Sequence, residues 1–128
     1  MNNLQKENRR TILIIENDIL LQKTYHLALT NAGYNVIFAS TGTKGLQKLK
    51  DETPQLIILD LVIPGEMDGL DVLEQIKTNQ QFVKIPLFIL TNLDNKKNTA
   101  LKMGVKKYFI KTNVSINTVI NEINITLS

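Results

Sequence analysis

The sequence has no cysteine, one histidine and few aromatic residues, 5% in all. Without cysteine there is no disulfide framework, which sets aside the small secreted domains held by cross-links. No apolar run approaches the roughly 20 residues that a membrane-spanning helix needs, so membrane insertion is not expected. The opening stretch from Met1 to Arg10 lacks the apolar segment of a signal peptide, and a cytoplasmic location is the expectation. The formal net charge of +3 is dispersed. No Lys/Arg cluster is interleaved with stacking aromatics, so no direct nucleic-acid contact is expected; the pairs Lys96-Lys97 and Lys106-Lys107 read as solvated surface.

What is present is 128 residues with 43% hydrophobic and 21% charged side chains, the balance of one globular domain large enough to bury most of its apolar surface. Residues 1–10 are polar and aperiodic and read as a flexible tail. Residues 11–128 read as a single folded unit with no linker, no internal repeat and no output domain after it.

Within that unit, apolar runs alternate with amphipathic stretches. Leu56-Ile57-Ile58-Leu59 is bounded by Pro54 and by Pro64-Gly65, which describes a short strand buried on both faces, ending on Asp60. Thr11 to Ile15 is a similar run ending on Glu16-Asn17-Asp18. Tyr34 to Ala39, Pro86 to Leu90 (ending on Thr91-Asn92) and Lys107 to Ile110 (ending on Lys111) complete five strands. Between them the spacing predicts helices over Ile19–Ala32, Lys44–Glu52, Asp68–Asn79 and Asp94–Met103, and a fifth follows over Ser115–Leu127. Asp18 and Ser115 are expected as N-caps, and Gly33 and Gly104 as terminators. His26 lies off the apolar face of its helix, with no second ligand nearby, and reads as solvent-exposed. Ser40-Thr41-Gly42-Thr43 resembles a flavin-phosphate loop, but it follows the second strand rather than the first and reads as a tight turn into a helix.

Strict alternation of five strands and five helices predicts an α/β fold, a doubly wound parallel sheet with helices on both faces. The flavodoxin-like strand order 2-1-3-4-5 is the natural one at this size. In that order the carboxyl ends of four strands bring Glu16-Asn17, Asp60, Thr91 and Lys111 to one edge. Each suits phosphoryl transfer: a carboxylate to attack phosphorus, oxygen ligands for Mg²⁺, and a lysine and a hydroxyl for the remaining phosphoryl oxygens.

On these residues, Thr11 to about Leu127 resembles the receiver domain of bacterial two-component response regulators. The resemblance implies that Asp60 is the phosphoacceptor, served by a histidine kinase or histidine phosphotransfer protein. It implies that Glu16, Asn17, Asp60 and the backbone carbonyl of Val62 hold Mg²⁺, and that Thr91 is the switch hydroxyl, Lys111 the phosphoryl-binding lysine and Tyr108 the aromatic that reports activation. Pro64-Gly65 and Met67-Asp68-Gly69 match the loop of that family, with Glu66 as one extra residue. Val62 and Leu93 fall at the two positions that tune water attack. Such a domain is not an enzyme on a separate substrate; it accepts and loses its own phosphoryl group and signals to an unidentified downstream protein.

Three departures stand beside the matches. Asn17 replaces a usual acid, and fewer carboxylates mean weaker Mg²⁺ binding. Thr112 replaces a proline commonly joined to the lysine by a cis bond, so either a cis bond is retained before threonine, at ~2.5–4 kcal/mol, or the peptide is trans and the Lys111 loop is re-aimed. Asn92 stands where a small residue normally leaves room beside the phosphoryl group. The alternative function is a pseudo-receiver, a binding module that works without phosphorylation because Asn17 weakens the metal site. A haloacid-dehalogenase-type phosphatase would need a second aspartate where Val62 stands.

Overall fold

The computed structural model describes residues 8–128. Most of the expected N-terminal tail, residues 1–7, lies outside the described residues. Five strands, β1 (Thr11–Ile15), β2 (Asn35–Ala39), β3 (Leu56–Leu59), β4 (Leu87–Thr91) and β5 (Lys107–Ile110), form one parallel sheet in the order β2-β1-β3-β4-β5. Helices α1 (Ile19–Asn31), α2 (Gly42–Asp51), α3 (Gly69–Lys77), α4 (Lys97–Lys102) and α5 (Ile116–Leu127) alternate with them. The expected fold class and strand order are those observed. Among the described residues no helix is long and apolar enough to cross a membrane.

Side chains of successive strand residues leave opposite faces of the sheet, and that alternation sorts one apolar run into two cores. Leu13, Ile15, Ile57 and Leu59 pack with Leu49 of α2 and with Val72, Leu73 and Ile76 of α3. Ile12, Ile14, Leu56 and Ile58 pack on the other face with Tyr25 and Leu29 of α1 and with Val119 and Ile123 of α5. At ~25 cal/mol per Å² of buried apolar surface, each of these fully buried aliphatic side chains contributes about 1.5–3 kcal/mol before entropy is counted. The three inner strands are buried almost throughout, whereas β5 at one edge is half-buried.

The helix ends follow local chemistry. Asp18 Oδ1 accepts from the N–H groups of Leu20 and Leu21, Ser115 caps α5, and Gly33 ends α1 with a φ of 100° that a side chain would resist. Several boundaries differ from the expected ones by a residue or more, and four of them show the local chemistry that sets them. Helix α2 begins at Gly42 rather than Lys44, because the Thr41 hydroxyl caps it. Helix α3 stops at Lys77, where the Thr78 hydroxyl bonds back to the carbonyl of Glu74. Helix α4 is six residues long and starts at Lys97 rather than Asp94, because residues 95–96 form a turn; Lys96 at its N-cap makes no side-chain capping bond. Strand β4 starts after Pro86, which has no N–H for the ladder. His26 is exposed, its ring 6.0 Å from that of Phe38.

Candidate functional site

The strand register sets the geometry of the carboxyl edge. Ile15 pairs with Leu59, and an acid follows each, so Glu16 and Asp60 leave the sheet at the same level on adjacent strands. This is the point at which the strand order reverses, between β1 and β3, where open α/β sheets leave a crevice. Each acid is held one rung beyond its strand by a ladder hydrogen bond: Glu16 N–H to Ala39 O at 2.9 Å and Asp60 N–H to Ile15 O at 3.0 Å. Lys111 is fixed the same way at the end of β5, its N–H donating to Thr91 O at 2.9 Å.

From that position the Lys111 side chain reaches back across the sheet edge. Its ammonium lies 2.7 Å from Asp60 Oδ2 and 2.5 Å from Glu16 Oε1, bridging carboxylates from two other strands. Both acids are only 4% exposed. Their other oxygens are also engaged, since Asp60 Oδ1 accepts from Val62 N–H at 3.0 Å and Glu16 Oε2 from Asp18 N–H at 3.1 Å. Burial would lower the Lys111 pKa, but the hydrogen bonds and charges of Asp60 and Glu16 outweigh it, and the net shift is upward. Burial is the main cause of the upward shift at Glu16, which the Lys111 bond and the Asp18 N–H only partly offset. Both partners thus move up, the lysine through its neighbours and the acid through desolvation.

Asp60, Glu16, Asn17 and Lys111 line an open cavity of about 590 Å³ together with Asp18, Val62, Asn92 and Leu93. Val62 is 62% exposed at its mouth. Thr91 is fully buried and lies outside that lining; its hydroxyl accepts from Leu93 N–H at 3.3 Å. The Tyr108 hydroxyl donates to the carbonyl of the same Leu93. Burial raises the Tyr108 pKa, with the charges of Asp94 and Asp60 adding to it, so the phenol keeps its proton and its role as donor. Thr91 and Tyr108 therefore meet at the loop after β4, not at the Asp60 carboxylate.

No cis peptide bond occurs among the described residues. The Lys111–Thr112 peptide is trans, and Lys111 reaches both acids in that form. Asp18, adjacent to the expected metal ligands, is occupied as the cap of α1. The Gln22 side-chain amide donates to the Glu16 carbonyl at 2.5 Å, one turn into a helix whose sequence carries no mark of that contact. Among the described residues no group of three or more His, Cys, Asp or Glu side chains is gathered as for a metal ion. The available donors are two carboxylates, the Asn17 amide and backbone carbonyls, a hard-oxygen set of the kind Mg²⁺ takes, but with few charges.

The response regulator receiver domain family matches residues 12–124. The transcriptional regulatory protein AfsQ1 of Streptomyces coelicolor is 34% identical over 103 residues, an alignment covering 79% of this chain and 44% of that one. The chain spans less than half the length of the curated relatives it matches. A CheY-like response regulator receiver domain protein from Methanospirillum hungatei has the same fold, with a TM-score of 0.84 at 24% identity over 94% of both chains. The Mn²⁺-bound form of the response regulator Rcp1 does too, with a TM-score of 0.75 at 23% identity over 89% of this chain and 88% of that one.

Proposed function

Because the chain belongs to the response regulator receiver domain family, we propose that it is a phosphoryl-accepting switch with Asp60 as acceptor and residues 11–128 as the receiver unit. The observation that carries this reading is the Lys111 ammonium held between Asp60 and Glu16, at 2.7 and 2.5 Å. A carboxylate oxygen of Asp60 attacks phosphorus; the bond from phosphorus to the imidazole nitrogen of a kinase or phosphotransfer protein breaks, and the histidine leaves with the nitrogen lone pair. The product is an acyl phosphate. Lys111 is the cation within reach of the transferred oxygens, and the low exposure of the site strengthens its attraction for them.

Glu16, Asn17, Asp60 and the Val62 carbonyl are the groups that would hold Mg²⁺, which when bound supplies positive charge against the phosphoryl oxygens. Thr91 and Tyr108 form the switch. Drawing the Thr91 hydroxyl toward a phosphoryl group costs its bond to Leu93 N–H, and this frees the loop that Tyr108 also holds. The changed surface is then read by another protein. Incubation with acetyl phosphate and Mg²⁺ should add the mass of one phosphoryl group to the wild type and none to Asp60→Asn. Labelling of Asp60→Asn would overturn the assignment, and an unlabelled wild type would return the chain to the binding-module reading.

A further inference from the structure

We propose that Asn92 is a positioning residue for Lys111, acting through the backbone of Thr112; the inference rests on the reading of Asp60 as phosphoacceptor. The β4–β5 ladder ends with Lys111 N–H donating to Thr91 O at 2.9 Å. One residue further on, the Asn92 side-chain oxygen accepts from Thr112 N–H at 3.2 Å, across 20 residues of sequence. The two bonds are consecutive along the ends of both strands. A side chain thus adds a rung where the two backbones would otherwise part, and Lys111 is held on its N-terminal side by Thr91 and on its C-terminal side by Asn92.

That clamp matters because Lys111 works at the end of a long, rotamer-rich side chain whose ammonium must meet Glu16 and Asp60 together. Fixing the Cα removes part of the freedom the side chain must lose when it holds both acids, and a small displacement of the backbone is passed on to the ammonium. The geometry uses what is unusual here. Thr112 has an N–H to give in a trans peptide, and Asn92 carries an oxygen that reaches it. Both residues are exposed, so water replaces the bond cheaply when it is lost. The consequence therefore falls on the placement of Lys111 rather than on folding.

The test compares wild type, Asn92→Ala and Asn92→Asp, the last of which retains a side-chain oxygen acceptor. In the unphosphorylated proteins, Thr112 amide exchange and the NMR resonance of the Lys111 ammonium are recorded. Labelling rates from acetyl phosphate with Mg²⁺ are then measured for wild type and Asn92→Ala. Asn92→Ala should speed Thr112 exchange and slow labelling, each by about threefold to tenfold, the span of one net hydrogen bond, and should broaden or shift the Lys111 signal with little change in melting temperature. Asn92→Asp, which keeps the acceptor oxygen, should restore the Thr112 exchange rate. Wild-type exchange and Lys111 signal in Asn92→Ala would overturn the proposal, as would a lost bond with an unchanged labelling rate. If the wild type itself takes no phosphoryl group, the phosphoacceptor reading fails, and the two NMR measurements still decide whether Asn92 places Lys111.

Discussion

Gly69 sits directly on the backbone of Leu61: a Cβ at position 69 would lie 2.2 Å from Leu61 Cα and 2.6 Å from the carbonyl oxygen of Asp60. The contact is sealed by Gly69 N–H donating to Leu61 O at 3.0 Å. Helix α3 is thereby seated against the segment that carries Asp60, and the hydrogen atom of glycine is the only side chain that fits.

Gly69→Ala should therefore cost about 3 kcal/mol or more, because the clash is with backbone and no flexible side-chain end can give way. Denaturant unfolding measures it. A loss below about 1 kcal/mol would mean that the loop after Asp60 yields more easily than its packing indicates.

Val62 and Leu93 line the cavity beside Asp60, and neither carries a polar atom on its side chain with which to orient an attacking water. The acyl phosphate of the wild type should be long-lived. Val62→Asn combined with Leu93→Glu should speed phosphate loss by about tenfold or more, still short of the ~10²–10⁴ that a well-placed acid–base group supplies. The decay of the phosphorylated mass after removal of donor is the measurement, and an unchanged rate would discard the idea.

Asn17→Asp adds a further carboxylate to a cavity lined by Glu16, Asp18 and Asp60, two of which already face the cation of Lys111. Mg²⁺ should bind about tenfold tighter, a modest part of the ~4 kcal/mol between two unit charges 4 Å apart at an effective dielectric of about 20. In chelator the variant should melt below wild type, from carboxylate repulsion, and recover as Mg²⁺ is added. Identical metal dependence in the two proteins would show that Asn17 does not touch the metal.

Tyr25, 4% exposed on the inner face of α1, has its pKa pushed up by burial from 10.0 to about 12. The folded state thus favours the neutral phenol. The stabilisation is complete below pH 10 and is lost as pH rises toward 12, an amount of roughly 2–3 kcal/mol for a shift of this size. Tyr25→Phe should remove that part of the alkaline loss. Urea midpoints of both proteins measured from pH 9 to pH 12 check it, and parallel declines would place the cause elsewhere.

Several features are legible without coordinates because their causes are local. A run such as Leu56 to Leu59 is a buried strand by its own composition, Asp18 and Ser115 announce the helices they cap, and strict alternation admits few topologies. The acids after β1 and β3 could be placed at one edge once the strand order was chosen. The start of helix α4 is not local in this sense: Asp94 resembles a cap, and only the turn at residues 95–96 moves the start to Lys97.

What the tertiary structure alone decided is how groups far apart in the chain divide the same few polar atoms. Lys111 takes one oxygen from Glu16 and one from Asp60, Thr91 and Tyr108 meet at Leu93, and Asn92 completes Thr112. Sequence pattern reports which face a residue presents, because the periods of helix and strand are local. It carries no record of which hydrogen bond is satisfied across the sheet edge, since that choice is made by distances fixed only when all five strands are in register.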